Sequence, residues 1–219
     1  MLTQYENGKI EYSDKNITIS NLSFSSLDTF QLCAYKWLLT QTEPRQPTGL
    51  SLLFGRAAHV MIERLITSSE DADPINVGQV WKSIWHSEVS KAEEKSGIDW
   101  EGEFPATVEG DGLRIFSTPS VREAIAKIVP KKDEAGYLIE RHVTLRVPGV
   151  PIPVVGYVDL VDKTGAIVDF KTAKRAWPDY KAEQEIQPLY YLAAALQAGD
   201  TALHFRHIVI TRASKPQVQ

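Results

Sequence analysis

The chain has 219 residues, of which 43% are hydrophobic and 24% charged, the balance of an ordinary soluble globular protein, and no stretch approaches the ~18 consecutive apolar residues of a membrane span. The formal net charge of −4 lacks the basic balance typical of nucleic-acid-binding proteins, although carboxylates that surround divalent cations would lower the formal charge. The single cysteine, Cys33, excludes an intrachain disulfide, and the polar N-terminus resembles neither a secretory signal nor a transit peptide, so we expect a cytoplasmic protein.

Apolar residues at helical spacing predict four helices in the first half of the chain. These helices are expected at residues 25–38, 52–66, 73–94 and 120–129. Ser25 would cap the first helix in a capping box that Asp28 completes, and Asp73 followed by Pro74 would begin the third. Loops are predicted between the helices, at residues 42–49, 68–73 and 99–112.

The second half of the chain changes to an alternating pattern that predicts strands. Four strands are expected at residues 139–147, 152–161, 166–171 and 203–211, with a helix at residues 179–198 that ends at Gly199. Helices followed by meandering strands indicate an α+β fold. We expect a single domain over residues 1–219, with a helical part at about 23–130 and a sheet-bearing core at about 136–212.

The strongest candidate for a chemical site is the hairpin of the second and third predicted strands. Asp159 lies on one strand, and Asp169 and Lys171 lie on the next, so the two aspartates can meet at one end of the sheet. Residues two apart on a strand share a face, which puts Phe170 in the opposite layer. Two carboxylates and an amine among apolar residues need solvent, a cation or each other, because their unpaired burial is unfavourable. A structural salt bridge of Lys171 with one aspartate is the alternative.

Two helical patterns accompany the hairpin. His59 lies four residues after Gly55 and four before Glu63, so the three share a helix face on which Gly55 would allow a close approach. An imidazole beside two carboxylates suits Mn²⁺, and carboxylates suit Mg²⁺, whereas a packed core histidine is the alternative. Gln187 and Tyr191 are also four residues apart, and an ordinary half-exposed helix face is the alternative there.

Taken in chain order, these patterns resemble those of a known nuclease family. They are Ser23-Phe24-Ser25-Ser26-Leu27-x-x-Phe30-x-x-Cys33, Gly55-x-x-x-His59-x-x-x-Glu63, Gly156-x-x-Asp159, Asp169-x-Lys171-Thr172 and Gln187-x-x-x-Tyr191. The resemblance, over roughly residues 23–211, is to the RecB-like branch of the PD-(D/E)XK nucleases, which includes CRISPR-associated and helicase-associated exonucleases. It implies an α/β restriction-endonuclease-like core, with a central mixed sheet of about four strands flanked by helices and an N-terminal helical region.

The resemblance also implies a role for each residue of the hairpin. His59, Asp159 and Asp169 would ligate one or two Mg²⁺ or Mn²⁺ ions, with the backbone carbonyl of Phe170 as a further ligand. Lys171 would be catalytic together with Asp159 and Asp169. Its amine would position or help to deprotonate the attacking water and would stabilise charge on the scissile phosphate.

Three further residues receive supporting roles from the same resemblance. Glu63 would lie behind the ligands or bind the ion through a water molecule. Gln187 and Tyr191 would order the site or contact the nucleic-acid strand.

Two features depart from the family pattern. Many members of the branch hold an iron–sulfur cluster with one cysteine near the N-terminus and three near the C-terminus. Cys33 stands at the first of these places and the other three are absent, so we predict no iron–sulfur cluster in this chain. The chain is also acidic, although six cations could form a local basic rim, with Trp177 or Tyr190 available to stack on a base: Lys131, Lys132, Lys174, Arg175, Lys181 and Arg212. Solvated surface charges and core aromatics are the alternative.

The resemblance therefore predicts a metal-dependent deoxyribonuclease. Its expected substrate is single-stranded or end-processed DNA, cleaved as an exonuclease in recombination, repair, or phage- or CRISPR-type DNA processing. Its expected partners are DNA and helicase or recombination proteins, with no membrane. One alternative is a non-catalytic nuclease-like module that binds DNA or a helicase. Another is a metal-dependent hydrolase of small molecules, for which the sequence lacks a Gly-rich phosphate loop and the His-Glu-x-x-His and Gly-x-Ser-x-Gly patterns.

Overall fold

The fold is built around a mixed β-sheet with helices on both faces. The computed structural model describes residues 2–4, 10–12, 17–68, 75–201 and 204–219. The helices are α1 (Phe24–Leu32), α2 (Ala34–Thr42), α3 (Leu50–Thr67), α4 (Val77–Lys95), α5 (Pro105–Ser117), α6 (Pro119–Ala126), α7 (Asp179–Gln184) and α8 (Gln187–Gln197). The strands are β1 (Leu2–Gln4), β2 (Ile10–Tyr12), β3 (Ile17–Ile19), β4 (Leu22–Ser23), β5 (Thr48–Gly49), β6 (Ile98–Asp99), β7 (Lys132–Asp133), β8 (Gly136–Tyr137), β9 (Ile139–Leu145), β10 (Val154–Val161), β11 (Ile167–Ala173) and β12 (Phe205–Thr211). None of these described helices has both the length and the apolar character that a membrane crossing requires.

The central sheet confirms the expected mixed sheet of about four strands. Strand β10 pairs antiparallel with β9 and β11, and parallel with the two-residue β4. Strand β12 runs parallel to β11 along its whole length. In the described part of the chain the sheet thus has five strands, the fifth being the short β4. Strands β1–β3, β5–β6 and β7–β8 form three smaller sheets.

Two apolar cores lie on opposite faces of the central sheet. On one face, buried residues of α3, α4, α5 and α6 pack against Leu160, Phe170 and Ile210 of the sheet. On the other face, α1 and α8 contribute Phe24 and Tyr191. The first core therefore joins the helical half of the chain to the sheet half, and it places α3 directly over β11. A single domain over residues 1–219 stays a prediction.

Gly156 allows α1 and α8 to approach β10 closely. A Cβ atom at this position would lie 2.5 Å from the ring of Phe24 and 3.1 Å from that of Tyr191. The two rings meet edge to face, with centroids 4.6 Å apart. Glycine is thus required here because the aromatic pair occupies the space of a side chain.

The first predicted helix differs from the structure in its cap and its length. Ser23, not Ser25, is the N-cap, and its hydroxyl accepts the N–H of Ser26 at 3.1 Å. The extended backbone of Cys33 then divides the predicted helix 25–38 into α1 and α2. The Cys33 thiol in turn caps α2 by accepting the N–H of Lys36. One extended residue leaves the helical spacing of apolar residues on either side intact, so spacing did not reveal it.

The prediction of a loop at residues 99–112 is wrong from Pro105 onwards, because α5 begins there. Val108, Ile115 and other apolar residues of α5 are buried in the core. The predicted loop ends at Gly112, a residue that instead serves helix packing. A Cβ atom there would lie 1.9 Å from the Trp81 ring, so the glycine lets α4 and α5 meet.

Two other predicted boundaries fall on residues that the structure does not describe. Asp73 and Pro74, the expected start of the third helix, lie outside the described residues. Helix α4 begins at Val77 as described, with the Asn76 side chain accepting the N–H of Gln79 at 3.1 Å. Leu203, the expected start of the last strand, also lies outside them, and β12 is described from Phe205.

The single helix predicted at residues 179–198 is in fact two helices. Pro188 is the second residue of α8. Proline has no N–H, and its ring would clash with the carbonyl four residues earlier, so a continuous helix is excluded. The predicted end at Gly199 is confirmed, with φ of 91°.

Candidate active site

His59 reaches from α3 to the open end of the β10–β11 hairpin. Its Nε2 atom donates a hydrogen bond to the carbonyl of Phe170 at 2.7 Å, because a carbonyl oxygen can only accept. Its Nδ1 atom lies 3.6 Å from Oδ1 of Asp159. The structure therefore brings together three of the four predicted metal ligands: the imidazole, the Asp159 carboxylate and the Phe170 carbonyl.

Strands β10 and β11 separate at the position of Asp159. Their pairing ends at Leu160 and Val168. Beyond that point, Oδ2 of Asp159 accepts the N–H of Phe170 at 2.7 Å. A side chain thus satisfies the backbone donor that a paired strand would otherwise satisfy, and the carboxylate is held in the gap between the strands.

The arrangement of donors and acceptors around His59 fits a cation. Because the N–H of Nε2 is used by the Phe170 carbonyl, Nδ1 is the ring nitrogen that lies beside the Asp159 carboxylate, and a metal ion could bind to both. Burial raises the pKa of Asp159; the imidazole of His59 opposes this rise and the charge of Asp169 adds to it. A metal-binding histidine commonly donates its other N–H to a backbone carbonyl, as His59 does to Phe170.

Glu140 is a second acidic residue at this place, and it was not expected from the sequence. Ligand atoms of His59, Glu140 and Asp159 all lie within 4.8 Å of one another. Glu140 stands opposite Asp159 across the β9–β10 pair, between the registered pairs Leu160–Ile139 and Val158–Arg141. The cluster therefore draws on α3, β9 and β10.

Backbone strain accompanies the position of Glu140. Its φ of 49° lies in the left-handed region, which residues other than glycine rarely adopt. Burial raises the pKa of Glu140, and the charge of Asp159 raises it further, while His59 opposes both. The alternating pattern assigned Glu140 to a solvated strand face, and that pattern carries no sign of a left-handed residue.

Asp169 lies next to Phe170 on β11, and its side chain contacts Lys171 and His207. It is buried, with 3% of its surface exposed, and Lys171 Nζ lies 3.0 and 2.9 Å from its two carboxylate oxygens. The salt bridge considered as an alternative is thus present. Among the described residues, Asp169 is not part of the His59–Glu140–Asp159 group, although its charge acts on Asp159 across the strand.

A hydrogen-bonded chain holds the Lys171 amine in place. The amine donates to Oε1 of Gln187 at 2.7 Å, and Nε2 of Gln187 donates to the Tyr191 hydroxyl at 3.2 Å. That hydroxyl donates to the carbonyl of Tyr157 at 2.7 Å. Burial raises the pKa of Tyr191 to about 12, so the phenol keeps its proton. Of the two roles considered for Gln187 and Tyr191, this geometry favours ordering the site, since Tyr191 is buried.

Glu63 and Gly55 lie on the same side of α3 as His59. Glu63 is exposed and lines a small cleft with His59, Glu140 and Asp159. A Cβ atom on Gly55 would meet Thr172 at an ordinary 3.6 Å. The structure therefore does not require glycine at residue 55 for a close approach.

His207 of β12 contacts Asp169, and this contact was not predicted from the sequence. The two residues are register partners, and Nδ1 of His207 donates to Oδ2 of Asp169 at 3.1 Å. The ring packs against Trp177 and Phe205, with centroids 5.2 and 4.9 Å away. Its Nε2 atom is buried without a hydrogen-bond partner among the described residues. These contacts fix the ring so that its one bonded nitrogen orients Asp169.

For the metal-dependent DNA cleavage and the Asp169 ligand role that the sequence resemblance implies, we expect His207→Phe to raise the metal concentration needed for half-maximal cleavage by about 10–100-fold, the usual effect of losing a residue that orients a ligand. Phenylalanine keeps the aromatic packing and removes only the N–H donor. Titration of cleavage with Mn²⁺ measures the change.

His207→Asn provides the matched control, since its amide places an N–H near the position of Nδ1 without the ring. This variant should need a metal concentration closer to that of the wild type for half-maximal cleavage. Its melting temperature shows whether it folds. A His207→Phe protein with the wild-type metal response would refute the orienting role.

Comparisons with known proteins identify the family and the fold. The PD-(D/E)XK nuclease superfamily matches the chain over residues 21–213. Among curated proteins, none matches the chain significantly. Among solved structures, the chain is similar to a "Putative exonuclease" from Eubacterium rectale, determined at 2.19 Å resolution. The similarity has a TM-score of 0.51 and 11% sequence identity, and it covers 91% of this chain and 71% of the other.

The sheet, its helices and the hairpin carboxylates define a mixed α/β protein with a restriction-endonuclease-like fold. Because the family match covers residues 21–213 of 219, the chain belongs to the PD-(D/E)XK nuclease superfamily.

Proposed function

We propose that this protein is a metal-dependent nuclease that hydrolyses DNA phosphodiester bonds. The observation that carries the proposal is the convergence of His59 and Asp159 in the gap between β10 and β11, beside the Asp169–Lys171 pair. A phosphodiester is anionic and repels hydroxide, so its hydrolysis needs positive charge at the phosphate and an oriented water molecule. The gap offers oxygen and nitrogen ligands for a cation, and it offers an amine.

The proposed cofactor is Mg²⁺ or Mn²⁺, as one or two ions. The proposed ligands are His59, Asp159, Asp169 and the Phe170 carbonyl, to which the geometry adds Glu140. A bound divalent ion neutralises charge on the phosphate and lowers the pKa of a coordinated water. The Phe170 carbonyl has two lone pairs, so it can hold the N–H of His59 and still accept a further partner. Glu63, one helical turn from His59, would support these ligands directly or through water.

Lys171 is proposed to orient the attacking water and to stabilise the charge that develops on the phosphate. An ammonium group has three N–H donors. Asp169 and Gln187 accept two of them, which leaves one for water or phosphate. Lys171, Asp159 and Asp169 would thus form the catalytic group, with Gln187 and Tyr191 holding the amine.

We further propose membership of the RecB-like branch, with exonuclease action on single-stranded or end-processed DNA. Recombination, repair, or phage- or CRISPR-type DNA processing would supply this substrate, and helicase or recombination proteins would be the partners. The order of the five sequence patterns supports this finer assignment. A chain with one cysteine would act without an iron–sulfur cluster.

Incubation with end-labelled single- and double-stranded DNA, in Mn²⁺, Mg²⁺ or EDTA, tests the proposal. We expect cleavage only with metal, and none by Asp169→Ala. The matched control is Asp133→Ala, which removes an exposed carboxylate at the end of β7 and should cleave like the wild type. Tight DNA binding without cleavage would instead favour a non-catalytic module, and cleavage of small phosphoesters alone would favour a small-molecule hydrolase.

A further inference from the structure

The cationic side chains near the end of β11 already contact carboxylates or an aromatic ring. Lys174 lies 3.1 Å from a carboxylate oxygen of Glu103, which also pairs with Arg212. Lys181 lies over the Trp177 ring, 4.7 Å from its centroid. This part of the expected basic rim therefore offers little free charge to a polyanion.

A groove with free cations lies elsewhere, between α2, the first half of α3 and the end of α4. Its volume is about 510 Å³, within the ~300–1,000 Å³ range of ligand sites. Four exposed cations line it: Lys36, Arg45, Arg56 and Lys95. Glu43 is the one acid in its lining. Across residues 17–68, 75–201 and 204–219, none of the four cations forms an ion pair with another described residue.

Apolar side chains lie between these cations. Leu52 of α3 is 54% exposed and Leu39 of α2 is 37% exposed, and Pro44 lies in the loop between the two helices. Single-strand binding grooves combine cations that bind the phosphates with flat side chains, commonly aromatic, on which bases stack. In this groove the surface available to base faces is aliphatic. A duplex hides its base faces and would use only the charges.

Helix α3 links the groove to the candidate active site. At 1.5 Å and 100° per residue, Arg56 lies about 4.5 Å along the helix axis from His59, and Leu52 lies about 10.5 Å away. The same geometry turns these residues about 60° and 20° around the axis from His59, so all three share one exposed face. A strand in the groove would thus continue directly to the imidazole.

We propose that this groove binds one strand of nucleic acid and leads it to the His59–Asp159 centre. The proposal rests on the proposed nuclease function and adds the path of the substrate. Each phosphate contact on a single strand contributes about 0.7 to the slope of log affinity against log salt concentration. The salt dependence therefore reports how many of these cations touch the strand.

The test is the double variant Lys36→Gln with Arg56→Gln, which removes two charges from the groove. The control is Lys82→Gln with Lys127→Gln, which removes two exposed charges from outside the groove lining. The probe is a fluorescein-labelled oligo-dT of about 20 nucleotides, with fluorescence anisotropy measured in EDTA so that it stays intact. We expect the groove variant to bind on the order of 10-fold more weakly, with a salt slope lower by about 1.4, and the control to match the wild type.

Two outcomes would overturn the inference while the nuclease function stands. One is cleavage by the wild type together with equal binding by the groove variant and its control. Another is an equal loss of affinity for a duplex of the same length, which would remove the single-strand assignment. Failure of the wild type to cleave any DNA with metal would count against the proposed function instead. Melting temperatures within a few degrees of the wild type would show that both variants fold.

Discussion

Replacing Lys171 with methionine is expected to lower the rate constant of DNA cleavage by on the order of 10²–10³-fold, the usual effect of losing one donor to developing charge. Methionine keeps a flexible apolar stem of similar length, so the change removes mainly the ammonium group. Single-turnover cleavage at saturating Mn²⁺ measures this rate constant without contributions from binding or product release.

Metal binding should survive the Lys171→Met change, because the change leaves the proposed ligands His59, Asp159 and the Phe170 carbonyl in place. Asp169 keeps its bond from His207 but loses its amine partner, so some fall in melting temperature is expected. The matched control is Lys82→Met, an exposed lysine on α4, which should cleave like the wild type. Cleavage by Lys171→Met at nearly the wild-type rate would remove the amine from the mechanism.

Replacing Asp159 with asparagine is expected to lower cleavage by about 10³-fold or more. The loss of metal-derived charge stabilisation is worth several kcal/mol, and each 1.36 kcal/mol is about tenfold in rate. The amide oxygen can still accept the N–H of Phe170, so the local backbone should hold. Calorimetric titration with Mn²⁺ measures the loss of metal affinity, and single-turnover cleavage measures the loss of rate.

The same substitution should raise the melting temperature of the metal-free protein at neutral pH. Burial raises the pKa of Asp159 above its ordinary value of 3.8, so ionisation is less favourable in the folded chain than in the unfolded one. The folded state therefore becomes less stable relative to the unfolded state as the pH rises from about 3.8 through the raised pKa of Asp159. Above that pKa, the whole cost of ionising the buried carboxyl lowers the free energy of unfolding. Thermal melts of both proteins in EDTA across this range should diverge as the pH rises.

Added Mn²⁺ should reverse the order of the two melting temperatures. An ion that binds only the folded chain stabilises the wild type more than the Asp159→Asn variant. Glu140→Gln removes a charge opposite Asp159 and should weaken Mn²⁺ binding by a smaller factor. An Asp159→Asn protein that melts below the wild type in EDTA at pH 8 would refute the burial argument. Mn²⁺ binding by Asp159→Asn that equals that of the wild type would refute the role of Asp159 as a ligand.

Local periodicity was enough to predict the parts of the site that lie on one element. Alternation along β11 placed Asp169 and Lys171 together, and the four-residue helical interval placed Gln187 beside Tyr191. The meander of two strands brought Asp159 near them. These inferences succeeded because each depends on the repeat of a strand or a helix, which the sequence displays directly.

The missed residues depend on contacts between distant segments. Glu140 reaches Asp159 through the β9–β10 register and a left-handed backbone, and His207 reaches Asp169 through parallel pairing after a long crossover. Neither register nor φ is visible in the alternation of apolar residues. The break at Cys33 and the helix around Gly112 were missed for a related reason, since tertiary packing decided both.

The bare α-carbon of Gly156 couples the proposed groove to the proposed catalytic amine. Phe24 packs on that carbon, and α1 leads into α2, which bears Lys36 and Leu39 of the groove. A methyl group at residue 156 would displace Phe24 and would also crowd the ring of Tyr191. Because Tyr191 holds the Lys171 amine through Gln187, a substitution there would disturb both places at once.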